Sequence, residues 1–344
     1  MKRLFSKIGM KAIRLNQPEV VLAYTTDWHL SDVPPGRRAA TYASEVLGKI
    51  RFAGEVAHRY GGVTICGGDV FHSKNARSSG NTFALANRLI DDLRKHPLGR
   101  VFGCHGNHDL WMDSTASIPA QPLGNLIAAG VFEDLSGGSI IFENQDASVR
   151  VQVDAFPYAE DMVTLERVLN SPPREEGVTS RIILMHQYGN PGSQGSLFGH
   201  PTIGYDQMAA CDYDLALWGH DHSRAEMVKV GNCTHVRYGS LSRASIAQDE
   251  VDRPVALALV TFTSQGRFTV EEINVPVRPL EIAFTQANRE VERVQQSEEV
   301  ERFFKEMDVA VETIESTDPR DTLRQFCPVG EPAVYDLAVE LCGL

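Results

Sequence analysis

The hydrophobic positions of the first hundred residues fall into two alternating rhythms. Val20 to Thr26 is a nearly unbroken apolar and β-branched run, which predicts a strand covered on both faces. After the Pro34-Pro35-Gly36 turn, Val46, Ile50, Ala53 and Ala57 recur at helical spacing between Arg38 and Tyr60, and Gly61-Gly62 ends that helix. Val63 to Cys66 is a second strand. Asn81 to His96 is a second helix, with Leu85, Leu89 and Leu93 on one face and Pro97 behind it. Arg100 to Cys104 is a third strand. The chain therefore opens β-α-β-α-β, an order that favours parallel pairing with right-handed crossovers.

Beyond Trp111 the rhythm changes. Short strands at Val131 to Leu135, Ser139 to Phe142 and Val149 to Phe156 follow one another without long helices, which predicts antiparallel pairing in a second sheet. Ile182 to Met185 and Leu215 to Trp218 return to buried strands, and Gly189 to Tyr205 between them reads as a long irregular loop of the functional kind. Ala225 to Ile273 is again strand-rich. Two prolines in Val275-Pro276-Val277-Arg278-Pro279 mark a boundary, after which charges dominate. Amphipathic spacing then predicts helices over Glu290 to Met307 and Ala333 to Leu341. The division expected is an N-terminal extension over residues 1–18, a large domain over 19–274, and a small C-terminal cap over 275–344 that packs on its parent or docks a partner.

Composition excludes several classes. The 344 residues hold no repeat, no low-complexity tract and no apolar run near the roughly 20 residues that span a bilayer, so a soluble protein with no membrane role is expected. Met1 to Arg14 is basic but lacks the apolar core and cleavage site of a signal peptide, and reads as a cytosolic extension forming a short amphipathic helix. Six scattered cysteines without paired spacing suit free thiols in a reducing, cytoplasmic setting. The net charge of −12 argues against non-specific coating of nucleic acid, although two divalent cations would restore positive charge where a phosphate must sit. Local cations follow the polar motifs: Arg37-Arg38, Lys74 and Arg77, then Arg224 and Arg243.

The polar residues at the strand ends carry the chemistry. They are Asp27-Trp28-His29, Gly67-Gly68-Asp69-Val70-Phe71-His72, Gly106-Asn107-His108-Asp109, Met185-His186 and Gly219-His220-Asp221-His222. Singly, each is ordinary turn chemistry, since Asp, Asn and Gly favour such loops. Together, at the carboxyl ends of strands where α/β folds gather ligands, they form a cluster of oxygen and imidazole donors without thiolate. Such donors suit Mn²⁺, Fe or Zn²⁺ in open sites better than a closed structural zinc. Asp69 is the candidate bridge, having two oxygens and a motif that falls second of five in chain order. His108, beside the Asn107 ligand, is the candidate acid or charge stabiliser. His58, His96, His105, His200 and His235 read as structural or solvated, and Trp28 and Trp218 as packing beneath the ligands.

The set resembles the calcineurin-like metallophosphoesterase superfamily, whose D-x-H, G-D, G-N-H, H and G-H-x-H pattern is matched in order from Asp27 to His222. Thr26 to Leu30, Gly68 to His72 with its extra histidine, and Tyr238 to Arg243 further resemble the Mre11/SbcD DNA nuclease subunits; Ser31 departs from the glycine usual there. The resemblance implies an α/β fold, a four-layer αββα sandwich of two mixed sheets with a small C-terminal cap. It implies two divalent metal ions, Mn²⁺ first and Mg²⁺, Fe²⁺ or Zn²⁺ as substitutes. One would be held by Asp27, His29, Asp69 and His222, the other by Asp69, Asn107, His186 and His220. His108, oriented by Asp109, would be the catalytic imidazole, with His72 at the scissile phosphate and Lys74, Arg77 and Arg243 on the substrate. The activity implied is exo- or endonucleolytic cleavage of DNA in repair or recombination, by a homodimer working with a Rad50/SbcC-type coiled-coil ATPase. The alternative is a general phosphoesterase acting on small phosphodiesters or phosphoproteins.

Overall fold

The computed structural model describes residues 10–74, 82–95, 99–158, 168, 171, 173–191, 196–197, 200–245, 251–264 and 266–284. Met1–Phe284 forms one compact unit and Thr285–Leu344 a second. The two C-terminal helices expected of the cap lie outside the described residues. Val275 belongs to the first unit: it is buried in the helix-side core, and its amide donates to Val255 O at 2.8 Å. The segment read as a boundary thus lies inside that unit, which ends at Phe284.

In chain order the strands are β1 (Ala12–Arg14), β2 (Val20–Thr25), β3 (Val63–Cys66), β4 (Val101–Gly103), β5 (Phe132–Asp134), β6 (Ser139–Glu143), β7 (Arg150–Phe156) and β8 (Ser180–His186). Short pairs β9 (Gly189–Asn190), β10 (Ser196–Leu197), β11 (His200–Pro201) and β12 (Ile203–Gly204) follow, then β13 (Leu215–Gly219), β14 (Ala225–Val230), β15 (Cys233–Arg237), β16 (Ala256–Phe262) and β17 (Phe268–Asn274). Helices α1 (Tyr42–Arg59), α2 (Thr82–Lys95) and α3 (Pro122–Ala128) are the crossovers of the first half. They join a six-stranded sheet ordered β17-β16-β2-β3-β4-β5, whose last four strands run parallel. A seven-stranded mixed sheet, β1-β6-β7-β8-β13-β15-β14, faces it.

Alternation along the central strands explains their unbroken hydrophobicity. Val21 and Ala23 of β2 join α1, α2 and α3 in one core, while Val20, Leu22 and Tyr24 point the other way into the core between the sheets. Leu184 and Leu217 of the second sheet enter that same inter-sheet core, whereas Met185 and Trp218 pack outward with Tyr205 and Met208. A strand covered on both faces needs apolar residues at every position, which is why no period-2 signal shows. Trp28 and Trp218 are both fully buried, beneath the motif loops as expected.

Two elements differ from expectation. β5 pairs parallel to β4 in the first sheet, not antiparallel in the second, because the 3₁₀ turns of Thr115–Ala120 and α3 provide a short crossover after β4. Ala12–Arg14 is no helix: it extends along β6 as a parallel edge strand, and the Arg14 guanidinium grips Glu143 at 2.7 Å. Among the described residues no helix is long and apolar enough to cross a membrane.

Leu22 sits at the centre of the inter-sheet core with no exposure. Leu22→Ala is expected to lower the unfolding free energy by about 2–5 kcal/mol in urea titrations, and Val228→Ala on the exposed edge strand β14 to stay within about 0.5 kcal/mol.

Candidate metal centre

The first two motif loops continue the ladder of the strands that carry them. Asp27 N donates to Gly68 O at 3.0 Å, His29 N to Asp69 O at 2.9 Å, Leu30 N to Val70 O at 3.0 Å, and His72 N to Leu30 O at 3.1 Å. Within this zipper the backbone is forced into the left-handed region at Asp27 (φ 50), His29 (φ 45) and Asp69 (φ 50), and again at His220 (φ 78). None is glycine, so each costs about 1–3 kcal/mol, and such strain gathers at functional sites. Gly106 admits the third loop: a methyl carbon there would fall 2.1 Å from Asp69 Oδ1 and 2.6 Å from His186 Nε2.

Beside an all-histidine group, His29/His72/His108, the strand ends converge on Asp27/His29/His222 and Asp69/His186/His220, with donor atoms of each group within 4.8 Å of one another. Asp69 stands between them. Its Oδ2 lies 3.6 Å from His29 Nε2 on one side and 3.3 Å from His186 Nε2 on the other, while its Oδ1 accepts the His108 backbone N–H at 2.8 Å. Asp27 Oδ1 is 3.9 Å from His29 Nε2 and 3.8 Å from His222 Nε2, and the two ring nitrogens face each other at 2.8 Å. Asn107 is buried against the same loops. Asp27 Oδ1 and Asn107 Oδ1 are buried without a hydrogen-bond partner, a condition that costs free energy unless a cation or water satisfies it. Orphaned oxygens, facing imidazoles and strained ligand-bearing loops together fit two divalent metal ions.

The surrounding histidines are braced by one residue. His72 Nδ1 approaches His29 Nδ1 at 3.4 Å, and His108 Nδ1 lies 2.5 Å from the His72 carbonyl oxygen. The second contact assigns the proton of neutral His108 to Nδ1 and the lone pair to Nε2. The His108 ring stacks on His72 at 5.5 Å and meets His29 edge-on at 4.7 Å.

One expected role is corrected. Asp109 does not orient the His108 ring: its buried carboxylate accepts the backbone N–H groups of Gly106 (3.0 Å), Val70 (3.2 Å) and Phe71 (3.1 Å), tying the second and third loops together. Arg243, expected on the substrate, is 8% exposed and donates from Nη2 to Arg253 O at 2.8 Å. Lys74 is exposed and 3.5 Å from Asp113, whereas Arg77 lies outside the described residues. Sequence reading also missed the cations that hold the turn at Tyr238 to Arg243. Lys49 Nζ donates to Leu241 O at 2.9 Å and Ser242 O at 3.0 Å, and Arg253 Nη2 to Ser240 O at 2.7 Å. Leu241 N in turn reaches Thr26 O at 3.0 Å, so the turn supports the first motif. A cation beside Val46 and Ile50 on the apolar face of α1 was the available signal for Lys49. Tyr158 and Tyr188 were missed too; their rings lie 5.1 and 4.2 Å from that of His220.

Burial and mutual charge set the protonation of the metal-free cluster. Burial pulls the His186 imidazole down, but Asp69 and then Asp27 raise it further, to about 9. Burial raises Asp69, yet His186 and His29 hold it well below the usual carboxylate range. Burial and the charge of neighbouring imidazoles, His222 for His29 and His186 for His220, push those two down, His220 to about 2. Burial, then Asp69, lifts Asp109 to about 6. A protonated His186 paired with Asp69 therefore stands where a cation would be held. A metal must displace that proton, so affinity should climb from pH 7 toward pH 9 with proton release at each point. Calorimetry of Mn²⁺ binding in buffers of different ionisation enthalpy checks this; binding without proton release at pH 7 contradicts it.

Among curated proteins none matches the sequence. In fold, the chain is similar to a 5'-nucleotidase precursor from Thermus thermophilus, at 15% identity and TM-score 0.44, covering 80% of this chain and 58% of that one. It is similar also to the NAD nucleotidase NadN of Haemophilus influenzae, at 13% identity and TM-score 0.43, covering 81% of this chain and 56% of that one. This chain thus spans under three-fifths of the length of either. The profile of the calcineurin-like phosphoesterases matches residues 21–224, more than half of the sequence and every motif from Asp27 to His222. The chain belongs to the calcineurin-like phosphoesterase family.

Proposed function

We propose that the chain is a two-metal DNA nuclease. The observation that carries the two-metal reading is Asp69 Oδ2, placed between His29 and His186 with its other oxygen fixed by the His108 amide. Asp27, His29, Asp69 and His222 would hold one ion, and Asp69, Asn107, His186 and His220 the second, with Mn²⁺ the metal that best suits mixed carboxylate, amide and imidazole donors. When bound, such a pair supplies charge to the phosphate and lowers the pKa of the attacking water.

The chain's own residues do the rest. His108, its Nδ1 proton held by the His72 carbonyl, presents Nε2 to the substrate; that atom must first take a proton from solvent, and from the imidazolium so formed it passes that proton to the leaving oxygen and returns to the neutral ring. The left-handed turns and the Asp109 ties fix the donors in advance, which lowers the reorganisation needed at the transition state. DNA as substrate is supported by His72, the extra histidine after Asp69, which stands beside both His29 and His108 and can touch the scissile phosphate. Lys74 offers an exposed cation on the same loop. Burial of Arg243 favours the second reading, a phosphoesterase for smaller diesters, because it removes one expected contact to a long backbone.

End-labelled single- and double-stranded DNA and bis(p-nitrophenyl) phosphate, each assayed with Mn²⁺, separate the two. His108→Ala should keep the metal content of the parent while slowing both reactions about 10²–10⁴-fold; loss of metal would put His108 in the ligand set. His72→Ala should impair DNA cleavage far more than ester hydrolysis. Ester hydrolysis with no DNA cleavage by the parent protein would leave the second reading standing.

A further inference from the structure

The loop that carries His108 runs on into an apolar tip that faces solvent. Trp111 is 46% and Met112 78% exposed, the latter the highest value of any large apolar side chain among the described residues. The other two tryptophans, Trp28 and Trp218, are fully buried. A single exposed apolar residue is ordinary on a surface. Two at one tip, held there against a backbone preference, call for a reason.

The turn itself shows the hold. Ser114 N donates to Trp111 O at 3.2 Å, and the two residues between them, Met112 and Asp113, both stand at φ 51. Positive φ at both central positions is the geometry that Asn and Gly normally supply, and a Met adopts it only uphill. Neighbouring bonds keep the turn closed: Trp111 N donates to Ser117 Oγ at 2.9 Å, and that hydroxyl donates to Ser114 O at 2.6 Å. Backbone strain of this kind gathers at active sites and ligand clamps.

Two cross-links between the same pair of loops place the tip. The His108 ring stacks on His72 at 5.5 Å, and Asp113 lies 3.5 Å from Lys74, two residues farther along the His72 loop. The tip therefore stands on the side of the centre that the nuclease reading gives to the substrate. Met112 follows His108 by four residues, a reach of at most about 14 Å, which covers only the first few nucleotides beside the scissile phosphate. Lys74 also offsets the charge of Asp113 against an approaching strand.

We propose that Trp111 and Met112 form an apolar contact for an unpaired nucleobase of the DNA strand being cut, Trp111 by stacking and Met112 as a wedge between neighbouring bases. The proposal rests on the nuclease reading and deepens it, since it assigns a strand with unstacked bases as the form of substrate that the centre receives. Stacking on an aromatic ring is tolerant of base identity, and apolar side chains such as Met are inserted between base steps by other DNA-binding proteins.

Because Trp28 and Trp218 are interior, Trp111 is a native fluorescent reporter. A single-stranded oligonucleotide should quench the tryptophan emission of His108→Ala, which cleaves slowly, in Mg²⁺; adding Trp111→Phe should abolish that response. The same strand made of tetrahydrofuran abasic residues should quench severalfold less. In Mn²⁺ assays Trp111→Ala should raise KM for the intact strand roughly tenfold and have little further effect on the abasic one. Met112→Gly relieves the turn, so it should raise KM severalfold while its melting temperature stays at or above that of the parent. A lowered melting temperature in Met112→Gly, or equal KM rises on intact and abasic strands, would make the tip a structural turn and overturn the contact. Conversion of a dimer to a monomer by Trp111→Ala in sedimentation would give the tip to a second copy of the chain and overturn it as well. A parent that cuts DNA while Trp111 emission is unmoved overturns the base contact and spares the nuclease reading. A parent that hydrolyses bis(p-nitrophenyl) phosphate and cuts no DNA ends both.

Discussion

The Asp69 carboxylate is under two demands at once. One oxygen is tied to the His108 amide, and the other stands within 3.6 Å of imidazoles from both donor groups. A buried carboxylate in that position is tolerable only where positive charge is shared around it, and the carboxylates of Asp69 and Asp27 in turn raise the pKa of His186 against the pull of burial. Much of the neighbouring architecture follows from this need. Gly106 lets the third loop approach closely, and the Asp27 loop is zipped to the Asp69 loop by successive backbone bonds.

Holding these donors in place has a conformational cost. Four donor residues occupy backbone conformations that side-chain-bearing residues avoid, and the buried donor oxygens Asp27 Oδ1 and Asn107 Oδ1 lack hydrogen-bond partners. The scaffold offsets this with extensive burial in three apolar clusters and with ties such as the three amides on Asp109. The turn at Tyr238 to Arg243 shows the same logic with opposite charge. Lys49 and Arg253 direct their donors to backbone carbonyls, and burial followed by the nearby Arg38 and Arg243 charges lowers the Lys49 amine to about 7.

What sequence made legible was the local part of this scheme. Apolar runs ending in Asp, His and Asn named the strands and the residues that crowd the centre, because both signals lie within a few adjacent positions. Interactions between distant segments were hidden. Asp109 reads as the partner of its neighbour His108, yet its acceptors are taken up by amides near residue 70, across a loop closure that no window spans. Arg243 reads as an exposed cation, and only the packing of residues 49 and 253 around it reveals that it is interior. β1 and β5, three residues each, take their direction from β6 and β4 and carry too little pattern to declare it themselves.

The donors come from opposite sides of the sandwich. Asp27, His29, Asp69 and Asn107 follow strands of the six-stranded sheet, whereas His186, His220 and His222 follow strands of the seven-stranded one. Each metal ion would therefore be held by residues from both sheets and would act as a clasp at one end of the molecule. At that end the two layers would be pinned by coordination, while away from it they are held by the dispersion and apolar contact of the inter-sheet core. Sliding of one sheet over the other would then pivot about the clasp, so that the chemistry sits at the stillest point of the fold.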